Sequence, residues 1–565
     1  MLSIRSIGVV GRTYRQMGRY RDILRVLVRY GFSDLVDSLH VERYLPLRLR
    51  RIPGRPQEGI EKLTTPRRLR MALEDLGPTF VKLGQILSTR PDLIPVAYLD
   101  ELSRLQDQVP HFAYVQVREV IRQDTGKLPE ELFARFDEEP LAAASIGQVH
   151  RARRHTGEEV VVKVQRPGIR QTIETDLEIL MHLASLMERN VAELELHRPT
   201  RIVQEFARVL EKEIDYTVEA SNLERFAHQF AGERTVYVPR VFRDLTTPRI
   251  LTTEFVEGIK ISQVERLREV GYDLEELARR GTELVLRQVF VHGFFHGDPH
   301  PGNVFILPDH VICYLDFGAM GRVSRREREL FADLMTHVAR GEEGKAIVPL
   351  LQLTTWEEEP DRDELERDIA AFADLYLYRS LQEVDIAALL RRTMETLTRH
   401  GMSLRPNLFL MLRALGAAEG AGRRLVPSFE VARHMEPFVR RVQLQRLDPR
   451  RVAADTVEST VLLLRLLREL PTEAAHGLRQ LREGRMRIQF QHEGLDPVLS
   501  VLDRISNRVA FAIVLAALII GSSLMVLAGV PPQWHGIPVI GLAGFVVAGM
   551  MGFWLLLTIL RRGRM

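Results

Sequence analysis

Cysteine is nearly absent from this 565-residue chain, with Cys313 the one copy. No disulfide can form within the chain, and a zinc site built on cysteines is excluded. Cys313 falls in an apolar run, where a thiol serves as packing. Lysine is almost as scarce: 7 lysines stand against 71 arginines. An ammonium and a guanidinium differ in shape and hydration, so a lysine kept in such a chain marks a place arginine does not suit. No excess of one charge is present. The net charge of +3 lacks the strongly basic character of a nucleic-acid binder, and no such partner is expected. Residues 1–32 contain no uninterrupted apolar run of the length a secretory signal needs. That stretch is arginine-rich, and two readings stay open: a membrane-surface helix, or a helix that is solvated or packed on a partner. No internal repeat is evident.

What is present concentrates in Phe295–Gly318, FHGDPHPGNVFILPDHVICYLDFG. Asp298 and Asn303 stand in the pattern D-x-x-x-x-N, on a loop punctuated by Gly297, Pro299, Pro301 and Gly302. Two apolar runs, Val304–Leu307 and Val311–Leu315, are split by Pro308 and Asp309 and read as a β-hairpin. The second run delivers Asp316-Phe317-Gly318. Protein kinases use these parts: an Asp at the catalytic loop, an Asn five residues on, and the Asp of D-F-G for magnesium. Mg²⁺ prefers hard oxygen donors, which Asn303 and Asp316 can supply. Asp298 can orient the attacking oxygen or take its proton.

Upstream, Val160-Val161-Val162-Lys163 is a β-branched run ending in one of the rare lysines, like V-A-I-K of kinases. Its expected partner is Glu219, in a helix read over Glu211–Phe226. In such a helix Asp215, Glu219 and Asn222 share a face, while Glu213 lies about 160° from Asp215. Both acids reach one site only if the helix begins or bends there. Ala142, Ala143, Ala144, Ser145 and Gly147 occupy the place of a glycine-rich phosphate loop, where small residues allow close backbone approach. The run Ile250–Gly258 is the expected hinge, with backbone near Glu254–Val256 meeting adenine. Ser324 and Glu327 form a capping box, so a helix begins eight residues after Asp316. No long activation segment fits, which argues against docking of peptide substrates.

The tail is different in kind. Residues 509–560 hold no Asp, Glu, Lys or Arg. Val509–Val530 and Ile537–Leu560 are each long enough, at ~1.5 Å per residue, to cross ~30 Å of hydrocarbon. PPQWHG between them is a tight turn with an interfacial Trp534. Arg504 and Arg508 precede the pair, and Arg561, Arg562 and Arg564 follow it. A transmembrane hairpin with both ends on the cytoplasmic side is expected. Gly544, Ala548 and Gly552 form a small-residue row for close packing within the hairpin or between chains.

HGDPHPGN resembles two groups: small-molecule kinases of the aminoglycoside and choline type, and the UbiB family of aarF-domain, or coenzyme Q, atypical kinases. The first are generally soluble. The second also matches K-x-G-Q at Lys82–Gln85, the run Ser88–Pro95, the alanine-rich A-A-A-S-I-G-Q, E-x-D at Glu213–Asp215, and the paired tail. The resemblance spans most of residues 78–560. It implies an α+β, atypical protein-kinase-like two-lobed fold with a helical N-terminal extension and a C-terminal transmembrane helical hairpin. The expected organisation is a basic helical region (1–60), a helical extension (61–127), an N-lobe (128–258), a C-lobe (259–425), a helical linker region (426–508) and two transmembrane helices (509–560). It also implies regulatory roles for Lys82, Gln85, Glu213 and Asp215, with Lys82 and Gln85 over the site.

The expected function is a membrane-anchored atypical kinase or ATPase of the bacterial inner membrane, with its kinase-like part cytoplasmic. It would use ATP (or ADP) and Mg²⁺ to support ubiquinone biosynthesis through handling of lipid intermediates. Lys163 and Glu219 would orient the phosphates, Asp316 and Asn303 would hold the metal, and Asp298 would position the acceptor. Membrane lipids, quinone precursors, coenzyme Q biosynthetic proteins and a second copy held through the membrane helices are the expected partners. An isoprenoid lipid kinase and a nucleotide-binding scaffold without turnover are the alternatives.

Overall fold

The computed structural model describes residues 14–39, 59–91, 93–105, 110–143, 145–190, 199–299, 301–356, 358–377, 386–446, 495–529, 531–534 and 537–562. The chain divides into two compact units, residues 1–453 and 454–565. Strands of the larger unit are, in chain order, β1 (Phe133–Phe136), β2 (Ala142–Ala143), β3 (Gly147–Arg154), β4 (Glu159–Gln165), β5 (Val236–Tyr237), β6 (Ile250–Glu254), β7 (Ile259–Lys260), β8 (Phe294–His296), β9 (Val304–Leu307), β10 (Val311–Tyr314), β11 (Met320–Arg322), β12 (Thr354–Trp356) and β13 (Met402–Leu404).

One sheet runs β1-β3-β4-β6, with β2 added to β3, and each pairing is antiparallel. Side chains alternate across a strand. Val160, Val162 and Val164 of β4 therefore share one face, and all three are fully buried. The helix Tyr114–Thr125 covers that face with Val117, Val120 and Ile121. Lys163 is thereby turned to the opposite face. The turn before β4 needs a left-handed residue and has one in Gly157, at φ 95°.

The extension is integrated into the unit. Phe80, Val81 and Leu83 of the helix Pro78–Leu87 share a core with Ile23 and Leu24 of the helix Tyr14–Arg29, and with Ile173, Phe206 and Tyr216. Burial of each such side chain contributes about 1.5–3 kcal/mol. Gly84, the glycine of K-x-G-Q, is where this helix approaches Leu105 and Leu73. A Cβ there would overlap Leu105 and stand 2.9 Å from Leu73 Cδ1.

A second sheet has the order β5-β10-β9-β7, with β10 parallel to β5 and antiparallel to β9. Val304 faces Tyr314 across the β9-β10 hairpin. This is the hairpin read from sequence, and it sets Asp316 beside the end of the Asn303 loop. β8 pairs with β11. The helix Arg325–Ala339 begins with the expected capping box: Glu327 N–H donates to Ser324 Oγ at 3.2 Å, and Ser324 N–H to Glu327 Oε2 at 2.7 Å. From sequence, residues 320–470 read as all-helical with Gly341, Pro349, Pro360 and Pro406 as breaks, and the structure corrects this at two points. Pro349 lies inside the helix Glu343–Leu353 and does not break it. The region is not purely helical either, because β12 and β13 pair. The arginine- and proline-rich stretch 48–56 that ends the basic N-terminal region, Ala144, and Arg485–Gln491, whose alternation reads as a short strand or an amphipathic stretch, lie outside the described residues.

In the smaller unit, the helices Leu495–Leu527 and Val539–Arg562 lie against each other. Gly541 and Gly544 meet Ser522 and Val526, whereas Gly552 meets Leu515, so the pair is antiparallel. Among the described residues, one helix is long and apolar enough to span a membrane, over Val509–Leu527. Of the two expected spans, this is the one that the described residues show. A shorter apolar stretch, Val539–Phe553, is seen among the described residues of the second helix, which runs over Val539–Arg562.

Candidate active site

Lys163 points from β4 toward the helix Tyr216–Gln229, and its Nζ donates to Glu219 Oε2 at 2.8 Å. The expected helix over Glu211–Phe226 is in fact two. The first ends at Glu213, and the second starts at Tyr216. Asp215 between them has φ −110° and ψ 98° and caps the second helix, accepting from Thr217 N–H at 3.0 Å. An Asp side chain competes for backbone donors in this way, which is why it favours caps over helix interiors. The break removes the 160° conflict and frees Glu213 to turn elsewhere. Glu213 Oε2 lies 3.1 Å from Lys82 Nζ. Gln85 instead donates to Leu105 O at 3.4 Å, within the extension.

The same helix also holds the D-F-G turn. Asn222 Nδ2 donates to Phe317 O at 3.0 Å. Phe317 is fully buried and packs on Phe226, ring centroids 5.2 Å apart. Asp316 Oδ1 accepts from Gly318 N–H at 2.9 Å. Burial acts to raise the Asp316 carboxyl, but Lys163, the Gly318 amide and Lys82 outweigh it and hold the group below its ordinary value. Glu219 goes the other way: burial raises it, and the Asp316 charge adds to this against the pull of Lys163. Burial acts to lower the Lys163 ammonium, yet Glu219 and Asp316 hold it charged. One ammonium thus serves two carboxylates.

His296 ties this cluster to the loop of Asp298. Its Nε2–H donates to Asp316 O at 2.5 Å, and its Nδ1 accepts from Asp298 N–H at 3.2 Å. The ring is buried and neutral, with burial lowering its pKa. Asp298 itself is exposed, and its Oδ1 is 3.6 Å from Arg413 Nη2. Asn303 O accepts from Leu315 N–H at 3.0 Å, so the backbone of the loop is joined next to Asp316. Among the described residues no cluster of three or more His, Cys, Asp and Glu could hold a metal. Mg²⁺ in nucleotide sites takes one or two carboxylates and completes its shell with phosphate oxygens and water. Asp316 and Asn303 fit that, because the carboxylate stays ionised and the cluster carries more negative charge than Lys163 neutralises.

On the loop side, β2 pairs Ala142 with Val149 and Ala143 with Gln148. Ser145 is buried. Gly147 admits no side chain: a Cβ would overlap the Tyr216 hydroxyl and stand 2.6 Å from Val164 O. Gln148 holds the strap that leaves the extension, accepting from Phe112 N–H at 3.0 Å and donating to Phe112 O at 3.2 Å. The residues read as the hinge are bonded as follows. Glu254 N–H donates to Arg240 O at 2.9 Å and Phe255 N–H to Glu159 O at 3.0 Å. The Glu254 carboxylate accepts from Tyr237 Oη at 2.7 Å. Among the described residues the Val256 amide makes no backbone hydrogen bond.

Three residues of the site escaped the sequence reading. His296 carried a signal, since H-x-D is the pattern of the kinase catalytic loop. Tyr216 and Arg413 carried none, being ordinary helix residues until the fold places them.

A body with the pair Lys163–Glu219, a D-x-x-x-x-N loop and a D-F-G turn whose Phe317 is buried defines an atypical kinase-like protein. The family described as ABC1 atypical kinase-like domain matches residues 104–348. The UbiB helical domain matches 369–430, and the ABC1/UbiB kinase-like C-terminal domain matches 493–561. A probable protein kinase UbiB of Pseudomonas fluorescens (strain SBW25) is 36% identical over 440 residues, 76% of this chain and 82% of that protein. A Clostridium pasteurianum protein, named as uncharacterized in the hydrogenase 1 5' region, is 34% identical over 96% of this chain and 99% of its own length. A Mycobacterium tuberculosis protein solved in complex with erythromycin superposes with a TM-score of 0.42 at 23% identity, over 61% of this chain and 91% of that one. The chain belongs to the UbiB family.

Proposed function

We propose that this chain is a membrane-anchored atypical kinase or ATPase that binds Mg-nucleotide and supports ubiquinone biosynthesis by coupling ATP to the handling of lipid intermediates. The observation that carries the reading is the Lys163–Glu219 pair at 2.8 Å, within electrostatic reach of Asp316. Lys163, held by Glu219, orients phosphates. Asp316 and Asn303 hold Mg²⁺, which supplies positive charge to the phosphates when bound. His296 keeps Asp316 and the Asp298 amide in register. Asp298 orients the attacking hydroxyl or water. Lys82, through Glu213, keeps the extension over the site as a regulatory cover. The second apolar helix completes a membrane hairpin with both ends on the cytoplasmic face of the bacterial inner membrane, where the hairpin also offers a surface to a second copy. Quinone precursors and coenzyme Q biosynthetic proteins are the proposed partners.

A second reading, an isoprenoid lipid kinase, is favoured by the exposure of Asp298 and the short path from Asp316 to the helix at Arg325, which leave room for a small acceptor. One experiment separates the two. The chain in lipid is given MgATP with and without a phenolic quinone precursor. ATP hydrolysis with the lipid mass unchanged is expected; a phosphate-sized mass gain on the precursor supports the second reading, and no ATP consumption contradicts both.

A further inference from the structure

Tyr216 opens the helix that carries Glu219. Its ring lies under the Lys163 ammonium, with Nζ 5.0 Å from the centroid. The residue is 1% exposed, yet among the described residues its hydroxyl has no hydrogen-bond partner. A buried tyrosine hydroxyl ordinarily finds one. Its surroundings are the charged members of the site, for Lys163, Glu219, Asp316 and Glu213 all act on it electrostatically. On the other side it meets Gly147, at the end of the alanine-rich loop. The hydroxyl therefore stands between the loop and the lysine with its donor unspent.

An oxygen-rich anion held by Lys163 and that loop is the partner this geometry suits. We infer that the Tyr216 hydroxyl is a phosphate-binding donor, contacting an oxygen of the bound nucleoside triphosphate beside Lys163. The inference rests on the nucleotide reading above. It adds a residue that the motif of the lysine, the carboxylates and the amide does not contain, and it gives Gly147 a reason: a side chain there would displace the donor.

The test uses the full chain in lipid nanodiscs, Mg²⁺ and the fluorescent analogue N-methylanthraniloyl-ATP. Tyr216→Phe keeps the ring and its contact with Lys163 and removes only the oxygen. The dissociation constant is expected to rise about tenfold, the size of one hydrogen bond to a charged group. The melting temperature without nucleotide is expected to equal or exceed that of the parent, because no internal bond is lost. In turnover, KM for ATP rises while kcat holds, as for a contact made equally in the ground and transition states. An unchanged dissociation constant overturns the inference and leaves the nucleotide site standing. A lower melting temperature without nucleotide also overturns it, since the hydroxyl then has a partner within the fold. A parent chain that binds no nucleotide overturns this inference and the proposed function together.

Discussion

Lys163 and Glu219 expose 19% and 9% of their side chains and sit 2.8 Å apart, whereas Asp298 is 54% exposed and 3.6 Å from Arg413. The first pair is set in a sheet and a helix with Tyr216 and Phe317 packed around it. The second bridges a loop and a distant helix. One side of the site is thus part of the folding core, and the other stands at its surface. The difference teaches where specificity resides. On the proposed function, the rigid side is the one that meets the nucleotide, the ligand kinase-like proteins share. The acceptor side is then the open one, where Asp298 and Arg413 stand.

The comparison breaks most visibly at Lys163. Lys163→Met leaves Glu219 and Asp316 without their ammonium, and removing one partner of a buried pair costs about 3–5 kcal/mol. Denaturant unfolding should show that loss, with nucleotide turnover gone; a variant as stable as its parent would mean the pair is no part of the core. Gly147→Ala comes next. The new methyl meets a backbone carbonyl, and overpacking of this kind costs about 1–3 kcal/mol, read in the same titration together with weaker nucleotide binding.

Acidity gives a smaller effect with a definite sign. Burial lowers the pKa of both His296 and His150. The unfolded chain takes up these protons near pH 6.5, whereas the folded chain resists until lower pH. Stability is therefore complete above that value and declines as pH falls through the window beneath it. The melting temperature at pH 5.5 should lie below that at pH 7.5, and a flat profile would contradict the neutral His296 bridge. On the open side the effects shrink further. Arg413→Ala should cost less than about 1 kcal/mol, as exposed ion pairs do. Asp298→Asn should shift stability by no more than about 0.5 kcal/mol, yet reduce turnover at least about a hundredfold if Asp298 moves a proton. Unchanged turnover would remove Asp298 from the proposed chemistry.

The parts that were legible before the fold are those with short-range cause. The β9-β10 hairpin follows from two apolar runs and a Pro-Asp turn, the Ser324 capping box from two residues three apart, and Lys163 from its rarity. The break between Glu213 and Tyr216 was visible only as a contradiction: two acids of one motif placed on opposite helix faces. It took Asp215 as a cap to resolve it. Arg413 was beyond reach, because 115 positions separate it from Asp298 (413 − 298) and only tertiary packing joins them. Pro349 misled because a proline reads as a helix break, whereas the neighbouring Ile347 and Leu350 are buried and keep the helix continuous.

The most direct measurement is nucleotide binding with and without Mg²⁺, on the full chain in lipid nanodiscs and on its Asp316→Asn variant. If Lys163, Glu219, Asp316 and Asn303 form one metal-nucleotide site, Mg²⁺ tightens binding to the parent chain and has no such effect on the variant. Equal affinity in Mg²⁺ and in EDTA, or a variant that keeps the full metal effect, would contradict the account.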